Sequence, residues 1–501
     1  MNNHEKKLIL FIYPGYESLG IEYLSSYLKK SNYSTELIFD PVLFDEPGFL
    51  KIPLLANIMD KSDLIADLVV KKSPLLIAIS ATTDNWNWVQ KLSKKIKTKK
   101  NIPIIVGGIH TTAATEICLQ DPNIDFVCIG EGEYPLVELC NSLANKSPFN
   151  KINNIAYKKN EKIIKGEILP PISLDSLPIL PDKELFYSKY PFFKEGYIIS
   201  TSRGCPYHCT YCNNPMYKQL YKGIGKYYRK RSISHTIQEL ICAKEKYTPR
   251  HIKFLDESFN ADPLWLKDFL KEYKFYINLP FYCFVFPDLI DETLLKLLKD
   301  AGCYKIQFGF QTSNSNIRKN ILLRNSKNSA VQNLINLAKS NKIFTVSDTI
   351  IGIPGISKTD LYETAKFYNN HTPDHIEIFW LRFYPKTTIL QQARKLNVIS
   401  EEDYIKYENQ IIFKGNSIDG DKISFFDRQM AVFLTTIPFI PKFINKIIID
   451  YKLVKFFPII PSILLIILKR LLRNTKYDLI QTQTYKRYLY FLFNKFEDYK
   501  P

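Results

Sequence analysis

Short apolar runs alternate with amphipathic segments twice along this 501-residue chain, and that alternation restricts the fold more than any other feature. The first series places apolar runs at 8–13, 35–39, 75–80, 102–106 and 126–129, with helical patterns at 19–28, up to 97, and at 135–143. A continuous apolar run must be covered on both faces, so the intervening helices must flank a doubly wound parallel sheet. Ligands of such a sheet bind beyond the carboxyl ends of its strands. There the chain places small and polar residues: Thr82 and Thr83, then Gly107, Gly108 and His110, then Gly130, Glu131 and Gly132.

A proline-dense stretch with a β-hairpin expected near 157–164 reads as a linker. The alternation then resumes, with strands at 196–201, 251–255, 281–286, 305–310, 344–352 and 375–384 and helices between them. Six βα units in series suit a parallel sheet or barrel, whose ligands gather at the carboxyl ends of its strands. The expected divisions are 1–145, a linker at 146–194, a barrel at 195–400 and a helical extension at 401–501.

After the first barrel strand comes Ser202-Arg-Gly-Cys-Pro-Tyr-His-Cys-Thr-Tyr-Cys-Asn-Asn-Pro215, with Cys205, Cys209 and Cys212 at C-x3-C-x2-C spacing. Three thiolates on one loop can hold three irons of a [4Fe–4S] cube and leave the fourth open, whereas an electron-transfer cluster has a fourth protein thiolate. Zinc takes four protein ligands in paired spacings. No second pair lies nearby, and His208 sits inside the loop, badly placed to complete a tetrahedron. The spacing, with aromatic Tyr211 before the last cysteine, resembles the signature of radical S-adenosylmethionine (SAM) enzymes, in which SAM chelates the open iron.

That resemblance carries over by residue. Phe254-Leu-Asp-Glu-Ser-Phe259 matches the position where the family holds the SAM ammonium, implying Glu257, or else Asp256, as its partner. Gly309-Phe-Gln-Thr-Ser313 follows the fourth strand, where ribose hydroxyls are contacted. Gln311 stands where the subfamily has Glu, and an amide can both donate and accept; Ser313 is implied beside it. Arg324 is implied for the SAM carboxylate, and the backbone at Gly352 for adenine.

The first half resembles the cobalamin-binding domain that precedes the radical SAM domain in one subfamily. The matching stretches are I-S-A-T-T-D-N (79–85), V-G-G-I-H-T-T (106–112) and I-G-E-G-E (129–133). Residues without Cβ let a corrin approach the backbone, and the eight residues named above at these strand ends are the implied contacts. The D-x-H-x-x-G motif that supplies an axial histidine is missing, so the resemblance implies base-off cobalamin without one. The same glycine turns would serve a degenerate domain that has lost its cofactor, and this alternative stays open. The implied fold is α/β: an N-terminal Rossmann-like cobalamin-binding domain, a partial (β/α)6 radical SAM barrel and a helical C-terminal extension.

The implied activity is reductive cleavage of SAM to a 5′-deoxyadenosyl radical, followed by methylation of an unactivated carbon. Ring formation or rearrangement with the same cofactors remains an alternative, as does radical chemistry without cobalamin. A non-enzymatic iron–sulfur sensor would leave the polar strand ends unexplained. The implied partners are a small molecule, a lipid or natural-product intermediate among the candidates, and an electron donor such as flavodoxin or ferredoxin.

No secretory leader pattern is visible, so a reducing, cytoplasmic setting is expected for the nine cysteines. The six outside the loop read as buried small hydrophobes. Net charge of +18 alone does not choose a partner. The basic run 222–231 reads as a solvated face, and without an RNA-binding module nucleic acid is not expected. The apolar run 456–468 is short of a bilayer span. Lys442, Lys446, Lys452, Lys455, Lys469, Arg470 and Arg473 surround it against Asp450. Two readings follow: a helical cap on the barrel mouth, or peripheral contact with an anionic membrane.

Overall fold

The unbroken apolar runs of the first half form a sheet covered on both faces. A computed structural model describes residues 6–46, 50–146, 151–409, 423–460 and 479–493. Strands β1 (Leu8–Pro14), β2 (Ser34–Asp40), β3 (Leu76–Ser80), β4 (Ile104–Gly107) and β5 (Phe126–Cys128) run parallel in the order β2–β1–β3–β4–β5. Ile9, Ile12, Leu76, Ile77, Ile104 and Val106 are fully buried. Helices α1 (Leu19–Lys30), α2 (Trp86–Lys99) and α3 (Glu133–Ala144) connect these strands. The order reverses between β1 and β3, which opens a crevice at the carboxyl end of the sheet.

The expected hairpin forms as β6 (Ile155–Lys159) and β7 (Lys162–Lys165), but it is no part of a free linker. β6 pairs antiparallel with β5 and extends the sheet to seven strands. Ile155, Ala156 and Tyr157 are buried against β5, so the hairpin covers an edge that would otherwise expose unpaired backbone.

The second half forms a six-stranded parallel sheet in sequence order: β8 (Tyr197–Ile199), β9 (Ile252–Phe254), β10 (Phe281–Phe284), β11 (Cys303–Gln311), β12 (Phe344–Ile351) and β13 (His375–Trp380). Its helices are α4 (Asn214–Leu220), α5 (Ile233–Tyr247), α6 (Pro263–Tyr276), α7 (Glu292–Asp300), α8 (Asn328–Ser340) and α9 (Lys358–Asn370). β8 and β13 are its two edges, so the barrel is partial. Asp262 and Asp291 cap α6 and α7 by accepting from the Trp265 and Leu294 backbone N–H groups, which ends each βα loop at a defined residue.

The described residues of the extension pack in two places. α10 (Phe425–Thr436) packs against edge strand β13, and α11 (Lys442–Asp450) packs against α9. α12 (Leu479–Phe493) reaches the first sheet instead. There Phe491 lies 6.2 Å from Phe39 and 6.0 Å from Tyr190, and Tyr488 Oη accepts from Phe44 N at 3.0 Å. Much of the apolar run 456–468, with Lys469, Arg470 and Arg473, lies outside the described residues. No helix among the described residues is long and apolar enough to cross a membrane.

One buried cation ties the connecting segment to both sheets. Lys183 Nζ lies 2.7 Å from both Glu17 and Glu22, and it donates to the Ile198 carbonyl of β8 at 3.1 Å. Burial opposes its charge, but the two carboxylates outweigh that and raise its pKa. Removing one partner of a buried ion pair leaves an uncompensated charge. Lys183→Met is therefore expected to destabilise the protein by about 3 kcal/mol, read as a lowered midpoint in thermal or denaturant unfolding.

Candidate functional site

The cysteine loop is held from below by a carboxylate. Asp256 follows β9 and is buried, and it accepts from Thr201 N at 2.9 Å, Thr201 Oγ1 at 2.6 Å and the Ser202 hydroxyl. These bonds direct the chain out of β8 into the loop. Lys218 of α4 donates to the Pro206 and Tyr207 carbonyls at 2.6 and 2.7 Å. Thr210 N donates to the Leu322 carbonyl at 3.0 Å.

Cys205, Cys209 and Cys212 line one cavity of about 450 Å³, together with Tyr211, Glu257, Gln311 and Arg324. Burial pushes the Cys205 thiol up to about 12 and the Cys212 thiol up to about 11, and metal binding at these sulfurs would release their protons. Among the described residues no three His, Cys, Asp or Glu groups are arranged to hold one metal ion. Three cysteines line the cavity, and no fourth cysteine or histidine stands among its described lining residues, a donor set that suits a cluster with one open iron better than a four-ligand zinc.

Glu257 faces this cavity, and burial raises its carboxyl while a hydrogen bond from Asn214 opposes the shift. Arg324 lies 4.6 Å over the Phe286 ring, donates to the Gly309 carbonyl, and brings Nη1 within 3.8 Å of Cys209 Sγ. Gln311 has φ +70°, a left-handed conformation that costs a non-glycine residue on the order of 1 kcal/mol. Its buried Oε1 has no hydrogen-bond partner among the described residues, which marks it for a ligand donor.

A second cavity of about 420 Å³ lies between the two sheets. Gly107, Gly108, Gly130 and Gly132 present backbone to it at the ends of β4 and β5, while Ile79, Ile105 and Leu136 make it apolar. Gly108 has φ +108°, and a Cβ there would stand 2.6 Å from the Ala81 carbonyl. Gly130 has φ +75°, and a Cβ would run into Tyr221 Oη. The barrel supplies the opposite wall with Arg203, Tyr217, Tyr221 and Tyr227. Leu255 and Glu257 line both cavities, so the cysteine cavity and the glycine-walled cavity adjoin.

Ion pairs across the sheets hold this arrangement. Glu133 pairs with Arg203 at 2.6 Å, and Glu131 pairs with Arg203 at 3.3 Å and with Arg229. Glu131 also accepts from Ile172 N at 2.8 Å. The Glu131 carboxylate is therefore committed to the barrel, although the residue lines the cavity as expected.

Other expected residues stand elsewhere. Thr82 is exposed and forms a capping box with Asn85, whose Oδ1 accepts from Thr82 N at 2.9 Å and closes a 3-10 turn. Thr83 Oγ1 lies 3.2 Å from His110 Nδ1, and His110 stacks on Trp86 with ring centroids 4.7 Å apart. Neither threonine nor His110 lines the glycine-walled cavity. The turn at Gly108 sends His110 into the core, where burial pulls its pKa down to about 3 and keeps it neutral.

Asp256 borders the cysteine cavity, but both its oxygens are used by the loop. Ser313 bonds Thr364 outside the cavity at 3.1 Å. Gly352 lines a separate cavity with Leu381 and Tyr407, since the chain turns away after β12. The basic run is not simply a solvated face either. Arg229 pairs with Glu131, buried Arg231 pairs with Glu239, and Lys230 lies 4.0 Å over the Trp265 ring.

Not legible in the sequence were Tyr217 of α4 and Tyr221, the residue that caps its C-terminus one turn on, and Tyr227, which stacks 5.4 Å from Tyr217. Nor was Asp348 in the cysteine cavity. Asp348 Oδ1 accepts from Gln307 Nε2 at 2.8 Å, and burial pushes the carboxyl up to about 7. Asp348 sits in β12 among Thr345, Ser347 and Thr349, so polarity alone did not single it out.

Comparisons with known proteins agree with this two-part geometry. A family model described as the radical SAM superfamily matches residues 199–368, and one described as the B12 binding domain matches residues 8–140. The chain is 27% identical over 403 residues to the uncharacterized methyltransferase PH0819 of Pyrococcus horikoshii, covering 78% of this chain and 81% of that protein. It is 25% identical over 488 residues to an anaerobic magnesium-protoporphyrin IX monomethyl ester cyclase of Rubrivivax gelatinosus, covering 89% of this chain and 79% of that protein. Among solved structures, the radical SAM methyltransferase TsrM of Kitasatospora setae, with cobalamin and a [4Fe–4S] cluster bound, superposes with a TM-score of 0.64 at 16% identity. That match covers 77% of this chain and 75% of TsrM, and it is a likeness of fold.

Arg203→Met would leave the Glu133 carboxylate, 5% exposed, buried without its partner. A loss of about 3 kcal/mol is expected, with faster amide hydrogen exchange at 200–204 and 130–133. Arg203→Lys, which keeps the charge but not the planar fork, should recover only part of both.

Proposed function

From a chain that belongs to the radical SAM superfamily and carries a B12-binding domain, we propose a cobalamin-dependent radical SAM enzyme that methylates an unactivated carbon of a small molecule. The observation that carries this reading is the common wall: Glu257 and Leu255 separate a cavity lined by three cysteines from a glycine-walled cavity in the B12-binding half. A hydrogen-abstracting centre and a methyl donor must face one substrate carbon, and two adjoining cavities allow that.

When bound, the cluster and SAM supply a carbon radical for hydrogen abstraction, and cobalamin supplies a methyl group. Cys205, Cys209 and Cys212 would hold the cluster. Glu257 would take the SAM ammonium and Arg324 its carboxylate, both as charge-assisted bonds. The unpartnered Gln311 Oε1 and the nearby Asp348 carboxyl would accept from ribose hydroxyls. Gly107, Gly108, Gly130 and Gly132 would admit the corrin to the backbone, with Tyr217, Tyr221 and Tyr227 facing it. The ring of Tyr207 stacks at 4.0 Å on Phe286, and both line the cysteine cavity. An electron donor of the flavodoxin or ferredoxin kind would reduce the cluster.

Wild-type protein reconstituted with iron and sulfide under anaerobic reduction should convert SAM to 5′-deoxyadenosine, and Cys209→Ala should lose at least 100-fold of that turnover, about 2.7 kcal/mol. Retained turnover in Cys209→Ala would exclude the cluster reading. Reconstitution with hydroxocobalamin should leave corrin absorbance on the protein after gel filtration, and Gly108→Leu should abolish it while iron content stays unchanged.

The surface of α11 supports a peripheral partner of the same enzyme, an anionic membrane. Phe443, Ile447, Tyr451 and Phe456 are exposed there beside exposed Lys442, Lys446, Lys452 and Lys455. Apolar side chains with a cationic rim match an anionic lipid interface. The full chain should sediment with phosphatidylglycerol vesicles and less with neutral phosphatidylcholine. Phe443→Ser with Phe456→Ser should reduce pelleting about tenfold; equal pelleting of both forms would sink the idea.

A further inference from the structure

Asn214, two residues after the last loop cysteine, is 6% exposed and makes three side-chain hydrogen bonds in three directions. Its Nδ2 donates to Cys212 Sγ at 3.1 Å and to Glu257 Oε2. Its Oδ1 accepts from Tyr227 Oη at 2.7 Å. Hydrogen-bond chemistry requires this orientation: a carboxylate and a thiolate only accept, so the amide NH2 must face them, and the amide oxygen is left for the phenol. Tyr227 lines the glycine-walled cavity and stacks between Tyr217 at 5.4 Å and Tyr221 at 6.1 Å. One buried amide thus touches a cysteine of the loop, the carboxylate common to both cavities and the aromatic wall of the second cavity.

We propose that Asn214 is a positioning residue that couples the two cavities, tuning the electron density on the Cys212 thiolate while it aims Glu257 at the SAM ammonium. The proposal rests on the cluster and SAM reading above and assigns a role that the cysteine spacing does not contain. An N–H donor on a cluster sulfur withdraws electron density and makes reduction easier. The same NH2 group fixes one Glu257 oxygen, so the carboxylate meets an ammonium without first losing rotamer freedom. The two acceptors fix the amide orientation, and the Tyr227 hydroxyl donates to the oxygen that remains.

The test uses the full chain, reconstituted anaerobically, as wild type, Asn214→Asp and Asn214→Leu. Asn214→Asp keeps the shape, removes both donors and adds a charge beside Glu257; Asn214→Leu removes the hydrogen bonds without adding charge. The readouts are iron content, the cluster's midpoint potential from a redox titration followed by electron paramagnetic resonance, and SAM affinity by equilibrium dialysis. At iron content equal to wild type, both variants should show a more negative midpoint potential and SAM binding weaker by about tenfold, with Asn214→Asp the more affected. Asn214→Asp carries the test alone if Asn214→Leu does not fold. A shift in only one of the two readouts, or in neither, overturns the coupling. Failure of both variants to load iron while wild type loads it overturns the proposal as well, by assigning the residue to cluster assembly. A wild type that binds neither iron nor SAM would instead refute the underlying reading.

Discussion

The ion pairs between the β5 loop and the cysteine strand are the interaction on which the rest of the site depends. Glu131 and Glu133 follow β5 of the first sheet, and Arg203 and Arg229 face each other in a short antiparallel pairing of 202–203 with 229–230 that flanks the cysteine loop. Each carboxylate has a guanidinium partner, and Glu131 also accepts from backbone. That satisfaction is what makes burial of such charges tolerable, because an unpaired buried charge costs several kcal/mol. With the clamp closed, the carboxyl end of one sheet meets the loop at the carboxyl end of the other, and the space left between them is the glycine-walled cavity.

A second constraint acts inside the barrel. Asp256 and Glu257 are neighbours with opposite tasks. Asp256 turns toward the chain and spends both oxygens on Thr201 and Ser202, which holds the loop in place. Glu257 turns to the cavities and keeps capacity for a ligand beyond its bond to Asn214. Sequence offered two adjacent carboxylates of similar chemistry; only the direction in which each leaves the end of β9 separates the anchor from the ligand candidate.

The readable parts of this chain were those carried by local chemistry. Apolar strands without alternation had to be covered on both faces, and they are. Cysteine spacing identified a loop whose three sulfurs line one cavity, and glycines at strand ends identified a wall of backbone. Unreadable parts depended on contacts remote in sequence. Thr82, Thr83 and His110 were as polar and as close to a strand end as the glycines, yet Trp86 and the turn at Gly108 draw His110 inward. Arg229 and Arg231 looked like surface charge until their partners, Glu131 and Glu239, met them from elsewhere in the chain.

The sequence by itself determined two α/β units and a three-cysteine loop, because periodicity and spacing are properties of neighbouring residues. It also determined that the glycines after β4 and β5 could accept close approach, since the lack of a Cβ is intrinsic to the residue. Tertiary structure alone decided that Glu257 stands between two cavities, that Tyr217, Tyr221 and Tyr227 face the first sheet, and that Asn214 joins a loop cysteine to both. Such assignments need two distant segments in one place, and hydrogen-bond direction and burial exist only after the sheets have docked.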